Sequence, residues 1–274
     1  MTAVHKVIRR RTGFAQLDLN ELWEYRELLA FLAWRDVAVR YKQTVVGVSW
    51  AFIRPFLTMI VFTLVFGKLA GLPSENVPYA VLTFTALLPW QLFATAYAEA
   101  AGSVVGNGHM VTKVYFPRLI LPLAATAVAL VDFLISFLFL LVLLLGHGMM
   151  PSPHIAFLPV FLLLCLVFTL GMSLWFAAAY VKYRDVRHFI PLITQLGLYI
   201  SPVAFSSALI PERWRLLYSF NPMVAVIDGF RWSVLGTAPL YVPGIVASAA
   251  ISLLLLVTGI VYFKQAERVF ADVM

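Results

Sequence analysis

Long apolar runs alternate with short polar segments along this 274-residue chain. A helix rises 1.5 Å per residue and the hydrocarbon core of a bilayer is about 30 Å thick, so a transmembrane helix needs about 20 apolar residues. Six runs meet that requirement, at approximately 49–70, 79–101, 119–146, 155–180, 189–207 and 242–263. The pattern predicts an all-α integral membrane protein with a six-span domain at 49–263, an N-terminal segment at 1–48 and a tail at 264–274.

The N-terminal segment contains one amphipathic stretch, at 21–37. One helical face carries Leu22, Tyr25, Leu29 and Leu32, and the opposite face carries Glu21, Glu24 and Arg35. The stretch is too charged to span a bilayer, so we expect an interface helix on the cytoplasmic surface, with Trp23 and Trp34 at headgroup depth. Both a membrane anchor and a seat for a partner protein have this pattern.

Lysines and arginines mark one side of a six-span chain. They occupy the N-terminal segment, the loops with Lys113, Arg118, Lys182, Arg184 and Arg187, and the tail with Lys264 and Arg268. The loops at 71–78 and 147–154 contain neither residue type. By the positive-inside rule both termini are cytoplasmic. The segment 208–241 is an exception, because it carries arginines on the outer side.

Composition excludes several classes of protein. The chain is 62% hydrophobic and only 12% charged, which leaves too little polar surface to cover a soluble fold of this length. The net charge of +7 does not indicate nucleic-acid binding, because the basic residues are dispersed between apolar runs. Cys165 is the single cysteine, which excludes a disulfide within one chain and a cysteine-based metal site.

Two short helices are predicted on the outer side, before the last span. Pro211 and Glu212 indicate the start of a helix at 211–218, and Asn221 with Pro222 indicates the cap and start of a second at 222–235. Both are apolar enough to dip into the outer leaflet. Asp228 and Arg231 lie three residues apart and could pair, either shielded from solvent or exposed.

A second cytoplasmic element is predicted at 106–118. Gly106, Gly108 and Pro117 bracket a segment of about two helical turns. A short rigid element between two spans can transmit a push from a soluble partner to the membrane helices. His109 within it is interpreted as a polar loop residue.

The spans contain few polar or charged residues, and these point to particular roles. Trp90, Phe93 and Tyr97 share one face of the second span. Aromatic faces can stack against planar or apolar groups of a ligand, but aromatics in spans also serve as core or interface residues. Asp132 lies deep in the third span and should find a donor within the protein, because an unpaired carboxylate in lipid costs several kcal/mol.

The stretch YVKYRDVRHF at 180–189 packs charges between two very apolar runs. Lysine and arginine there would act as a topology anchor. Asp185 does not serve that purpose, so we expect it to order the loop, by pairing with a neighbouring arginine or capping the next span. A simple anchor is the alternative.

The same stretch carries a resemblance to a family. YRDVRHFIPLI followed by YISPV resembles the fourth-to-fifth span region of permease subunits of ABC exporters for lipid-linked polysaccharides such as O-antigen and teichoic acids. LLAFLAWRDVAVRYKQTVVGVSWAFIRPF, KVYFPRLILPLA, NPMVAVIDGFRWSVLG and AERVFADVM agree in the expected order. The resemblance covers almost the whole chain. It implies export of a lipid-linked polysaccharide, first O-antigen and alternatively teichoic acid or capsular polysaccharide, across the bacterial inner membrane.

Residue roles follow from that resemblance as expectations. It implies a homodimer with two copies of an ATPase subunit, a glycan path, re-entrant gate helices on the outer side and a coupling surface on the cytoplasmic side. Aromatic faces can stack on sugars, so the glycan-path residues implied are Trp90, Phe93, Tyr97 and Tyr199. The coupling residues implied are Glu27, Arg35, Met110, Lys113, Tyr115, Arg184 and Asp185. The outer-gate residues implied are Trp214, Asp228 and Arg231.

The chain has no phosphate-binding loop of its own. Its single Gly-Lys pair, Gly67–Lys68, lacks the motif G-x-x-x-x-G-K-[ST]. ATP and Mg²⁺ are therefore expected on the separate ATPase, with no cofactor or metal in this chain. A membrane enzyme of lipid-linked sugar metabolism would need clustered carboxylates or histidines, and a secondary transporter would show two similar halves; the sequence has neither.

Overall fold

Every regular element in the described part of the chain is helical. The computed structural model describes residues 19–42, 49–237 and 240–270. The α-helices are α1 (Leu19–Glu24), α2 (Arg26–Lys42), α3 (Ser49–Phe62), α4 (Tyr79–Gly106), α5 (Gly108–Lys113), α6 (Ile120–Gly146), α7 (Leu158–Lys182), α8 (Val186–Ile200), α9 (Glu212–Tyr218), α10 (Pro222–Leu235) and α11 (Val242–Ala266). A π-helical turn, Thr63–Leu69, extends α3, and short 3₁₀ helices occupy Pro153–Phe157, Ser207–Leu209 and Glu267–Val269. Residues 1–18 and 43–48 of the predicted segment 1–48 lie outside the described residues.

Five helical segments are long and apolar enough to cross a membrane. They are Ser49–Leu69, Tyr79–Gly106, Ile120–Gly146, Pro153–Lys182 and Val242–Val269. The sixth predicted span, 189–207, differs, because α8 has 15 residues and stops at Ile200. Ser201 is extended (φ −83°, ψ 154°) in front of Pro202, as the residue before a proline prefers, and this ends the helix.

The second span, α4, is the centre of the bundle. It packs against α3, α6, α7, α8 and α10, and 72% of its most apolar window is buried inside the protein. In each of the other four candidate spans, at most 33% of the most apolar window is buried inside the protein. These spans therefore present broad apolar faces outwards. In a bilayer such faces contact lipid or another apolar protein surface at little cost.

The bundle has two chemically different ends. The basic end holds α1, α5, the turn 183–185 and the 3₁₀ helix Glu267–Val269, with lysines and arginines in each of the last three. The opposite end holds the loop 70–78, the 3₁₀ helix Pro153–Phe157 and the α9–α10 hairpin. Ser152 N–H donates to the Val234 carbonyl oxygen at 2.8 Å, which fastens two of these elements together.

The last span packs on α7 at backbone distance. A Cβ atom added at Gly171 would lie 2.7 Å from the backbone nitrogen of Leu256, and one added at Gly259 would lie 2.7 Å from the Gly171 carbonyl oxygen. Only glycine fits at these positions, as at the small-residue contacts that bring membrane helices together. The pair α7–α11 is therefore held in one fixed arrangement.

The N-terminal amphipathic stretch forms two helices where one was predicted. α1 ends at Glu24 and α2 continues to Lys42, five residues beyond the predicted end at 37. The predicted apolar face is confirmed, since Leu32 is 1% exposed and its neighbours on that face pack beside it. α2 packs along α6. Trp23 and Trp34 are 70% and 71% exposed.

Candidate functional site

The α9–α10 hairpin was predicted correctly in extent and is built on the local signals in the sequence. The Asn221 side chain accepts a hydrogen bond from Met223 N–H at 3.1 Å, and Gly236 ends α10 with φ +70°. Asn221 also donates to Ser201 Oγ at 3.0 Å, and Ser248 donates to the Ser219 carbonyl oxygen at 2.8 Å. The turn of the hairpin is thereby fixed between α8 and α11.

Arg231 on α10 is the central polar group of the opposite end. Its side chain is 3% exposed, and its guanidinium donates to the Phe205 carbonyl oxygen at 2.9 Å and to the Val203 carbonyl oxygen at 3.0 Å. These carbonyl groups lie in the irregular segment after α8, where no helix supplies donors. The possible pairing of Asp228 with Arg231 does not take the form of a direct ion pair, because the guanidinium is turned to the backbone, although the two buried charges attract each other.

The loop 70–78 is tied to the same irregular segment. Tyr79 donates to the Ala204 carbonyl oxygen, and Ser206 Oγ donates to Glu75. Together with Arg231 these bonds connect the loop 70–78, the segment after α8 and the hairpin. A cavity of about 90 Å³ lies beside this network. Of the predicted outer-gate residues, Arg231 belongs to the network, and Asp228 lines the cavity together with it. Trp214 on α9 is 50% exposed.

The predicted coupling element is a helix, α5, and it is held by the N-terminal helices. Arg35 Nη2 donates to Asn107 Oδ1 at 3.1 Å, immediately before α5, and also forms an ion pair with Asp36 at 2.8 Å. After α5, Tyr115 donates to the Glu21 carboxylate at 3.1 Å. Partial burial and the Glu21 carboxylate raise the pKa of Tyr115, so the phenol stays protonated as a donor.

The 3₁₀ helix after α11 forms a second attachment for the segment 106–118. Glu267 accepts from the Arg118 backbone N–H at 3.1 Å and pairs with the Arg118 guanidinium at 3.6 Å and with Lys264 at 3.2 Å. The Glu267 side chain is only 11% exposed, so these contacts are shielded from water. The sequence did not single out Glu267, because its partner lies 149 residues away.

The remaining predicted coupling residues lie at the basic end without forming one cluster. Lys113 and Glu27 are exposed and Met110 is half-buried. Arg184 and Asp185 are exposed in the α7–α8 turn. The expected cap is absent: Asp185 stands before α8 with no side-chain hydrogen bond to it, and it forms no ion pair with a described residue.

The predicted aromatic face of α4 exists, but it points into the protein. Trp90, Phe93 and Tyr97 are each at most 3% exposed and form a continuous stack with Phe168 and Phe176 of α7. In a single copy of the chain they are packing residues. Tyr199 on α8 is 63% exposed. Their assignment to a glycan path stays a prediction.

A charged cluster inside the bundle involves residues that the sequence did not connect. Arg40 at the end of α2 forms ion pairs with Asp132 of α6 at 3.1 Å and with Glu99 of α4 at 3.5 Å. Tyr41 donates its hydroxyl hydrogen to Asp132 as well. The expectation that Asp132 finds a donor within the protein is confirmed.

These observations define a multi-pass helical membrane protein with a fastened hairpin at one end and a short, doubly attached helix at the other. The chain belongs to the ABC-2 type transporter family, whose pattern it matches over residues 27–235. It is therefore a membrane transport protein and not an enzyme of lipid-linked sugar metabolism.

Curated relatives match over nearly their full length. The chain is 30% identical over 256 residues to the O-antigen export system permease protein RfbA of Myxococcus xanthus, covering 93% of this chain and 98% of that protein. It is 27% identical over 255 residues to RfbA of Klebsiella pneumoniae, covering 90% and 95% of the two chains. The polysialic acid transport protein KpsM of Escherichia coli is 19% identical over 238 residues, covering 85% and 91%.

Proposed function

We propose that this chain is the membrane subunit of an ATP-driven exporter that moves lipid-linked O-antigen from the cytoplasmic to the outer side of the bacterial inner membrane. The observation that carries the proposal is the 30% identity to an O-antigen export permease over 98% of that relative. A shared activity is the simplest account of a match that covers 98% of the relative.

The chain crosses the membrane six times when α8 and the segment after it are counted as one crossing. α8 starts at the basic end, and Ser206 reaches Glu75 in the outer loop, so residues 186–206 traverse the bundle. The α9–α10 hairpin is then re-entrant from the outer side. With the basic end in the cytoplasm, both termini are cytoplasmic. The six-span domain occupies 49–263, with cytoplasmic segments at 1–48 and 264–274.

ATP and Mg²⁺ are bound by a separate ATPase, two copies of which dock on the basic end. The absence of a phosphate-binding loop in this sequence supports that division of labour. α5 serves as the coupling helix. Glu27, Arg35, Met110, Lys113, Tyr115, Arg184 and Asp185 are the candidate contact residues.

Two copies of the chain form the working unit. α3 and α8 support this, because each presents a long apolar face outwards; the most exposed of these residues include Leu57 and Val61 on α3 and Leu196 and Tyr199 on α8. Pairing these faces would enclose a path between the copies. Tyr199 lies where it would border such a path.

Capsular polysaccharide or teichoic acid is the alternative cargo. The match to the polysialic acid transport protein favours a capsule among these, but at 19% identity it is the weaker indication. The two cargoes share the same membrane machinery, so the glycan found at the surface decides between them.

Deleting and restoring the gene in its host tests the proposal. We expect the deletion strain to lose O-antigen from the cell surface and to accumulate lipid-linked polymer inside, and the restored gene to reverse both. Loss of capsule with normal O-antigen would select the alternative cargo. Unchanged surface polysaccharide would overturn the function.

A further inference from the structure

A polar cleft opens between α2, α3, α4 and α6, on the side of α4 opposite its aromatic stack. Its volume is about 280 Å³, slightly below the range of about 300–1,000 Å³ typical of small-molecule sites. Its polar lining includes Arg40, Tyr41, Arg54, Gln91, Thr95 and Asp132. Nothing described above assigns this cleft a role.

Two polar side chains of the cleft lie at mid-membrane depth without a protein partner. Gln91 stands 12 residues after the first residue of the 28-residue helix α4, about 18 Å along it at 1.5 Å per residue, and Thr95 follows one turn later. Neither side chain forms a hydrogen bond with any described residue. An amide without a partner in hydrocarbon costs several kcal/mol, so the cleft requires a polar occupant.

Thr95 differs from several hydroxyl residues of the spans, although Thr63 and Thr83 also lack a hydrogen-bond partner. Thr85, Thr169 and Ser173 each donate to the carbonyl oxygen four residues earlier in their own helix, at 2.8, 2.6 and 2.7 Å. A hydroxyl satisfied in this way needs no other partner. Thr95 forms no such bond, which leaves its hydroxyl available to the cleft.

The charged groups of the cleft are two cations and one carboxylate: Arg40 is paired, and Arg54 forms no ion pair with a described residue. Arg40 is already neutralised by Asp132 at 3.1 Å and Glu99 at 3.5 Å, and these carboxylates oppose a second anion nearby. Carboxylates, amides and guanidinium groups together provide acceptors and donors for a hydroxyl-rich ligand. Trp50, 51% exposed at the cleft, offers an aromatic face to the apolar side of a sugar ring.

We propose that this cleft is a sugar-binding subsite that takes a hydroxyl-rich unit of the transported glycan during export. The proposal rests on the proposed function for the identity of the cargo. Gln91 and Thr95 contact the sugar hydroxyls, and Asp132 and Arg40 complete the polar wall. The aromatic stack of α4 supports the helix from behind.

Photo-crosslinking in the native host tests the contact directly. A photoreactive amino acid replaces Gln91, and Leu138, 63% exposed on α6, is the matched lipid-facing control. We expect adducts that stain for glycan at position 91 and only phospholipid adducts at position 138. Phospholipid adducts alone at both positions would overturn the subsite and indicate a lipid groove.

A second measurement avoids dependence on the photoreactive variant. The Thr95→Cys side chain should react with a small hydrophilic thiol reagent several-fold faster in a host that lacks the first glycosyltransferase of the pathway than in one that makes the polymer. Cys165 is fully buried and stays unlabelled. Equal rates in both hosts would contradict the proposal.

The double variant Gln91→Leu/Thr95→Val should export about tenfold less polymer, as expected for two lost hydrogen bonds of ordinary strength. Thr126→Val, whose hydroxyl bonds its own helix at 2.7 Å, is the control and should export normally. Normal export by the double variant would count against the subsite. Gene-dependent export without a glycan adduct at position 91 would remove the subsite and leave the proposed function intact.

Discussion

At the scale of single residues, the ion pairs of Arg40 join helix α2 to α4 and α6. Asp132 is 17% exposed and holds both Arg40 and Tyr41 from within a span. Removing one partner of a shielded ion pair leaves the other charge uncompensated. Glu99 is more exposed, at 54%, and its distance to Arg40 is longer.

We expect Asp132→Asn to destabilise the purified protein by about 2–4 kcal/mol, because Arg40 loses its nearer carboxylate inside the membrane. Glu99→Gln, the matched control, should cost less than about 1 kcal/mol. Thermal unfolding in detergent, followed by loss of the monodisperse peak, measures both. Equal losses for the two variants would show that the Asp132 contact is not special.

For Asp185 we expect the opposite result, a variant whose stability is nearly unchanged. Since its carboxylate is exposed and bonds no described residue, Asp185→Asn should change the stability of the isolated chain by no more than about 0.5 kcal/mol. Any loss of export by this variant would then arise at the ATPase contact, measured as weaker co-purification. A lower unfolding temperature in the isolated chain would restore the loop-ordering hypothesis.

Residue-level prediction from sequence succeeded where the signal is local and failed where the partner is distant. Asn221, Pro222 and Gly236 mark α10 because capping depends on a few neighbouring residues. Arg231 was paired with Asp228 by spacing alone. Its actual acceptors lie 26 and 28 residues earlier, and no local pattern encodes that contact.

At the scale of helices, α5 is attached to the bundle at both of its ends. Arg35 bonds Asn107 before it, and Glu267 bonds Arg118 after it. A displacement of α5 is therefore transmitted directly to α2 and to the end of α11. The bracketing glycines and proline predicted α5, and periodicity predicted the amphipathic face of α2, but the direction in which each helix faces depends on the whole bundle.

Glu267→Ala should uncouple ATP hydrolysis from export, because Arg118 loses both a backbone and a side-chain contact. We expect export to fall severalfold in cells while the variant still inserts and binds the ATPase. Arg268→Ala is the control, since that neighbouring side chain is exposed. Export that is equally reduced in both variants would assign the effect to the tail in general.

The exposed surface of α5 should face the ATPase. A cysteine at Lys113 is expected to crosslink to the ATPase chain through a thiol-to-amine reagent in the assembled complex. A cysteine at Met150, 84% exposed at the opposite end, should not. Free labelling at position 113 without any crosslink would place the docking surface elsewhere.

At the scale of the whole molecule, the proposed function assigns the membrane path to this chain and ATP hydrolysis to a partner. We expect the purified chain to hydrolyse no ATP and the complex with its ATPase to do so. The measurement is phosphate release in lipid nanodiscs, with an ATPase variant lacking its phosphate-loop lysine as the control. Hydrolysis by this chain alone would refute the division into permease and ATPase.

The overall architecture was predictable from the sequence because apolar run length and loop charge act independently of detailed packing. Five of the six predicted runs correspond to candidate spans. The sixth, 189–207, is not among the candidate spans, since Pro202 ends α8 early although the apolar run continues, and it stays a prediction. The aromatic face of α4 was found by periodicity, but its burial against α7 is a property of the folded bundle.

The glycine contact between α7 and α11 limits which helices can move. Gly171 and Gly259 bring backbone against backbone, so neither helix can slide or rotate past the other without atoms overlapping. The two must travel together as a rigid body when Glu267 is displaced. A transport cycle would then change the packing of this pair against its other neighbours, and α3 and α8 have wide apolar faces that can change neighbours in a fluid bilayer.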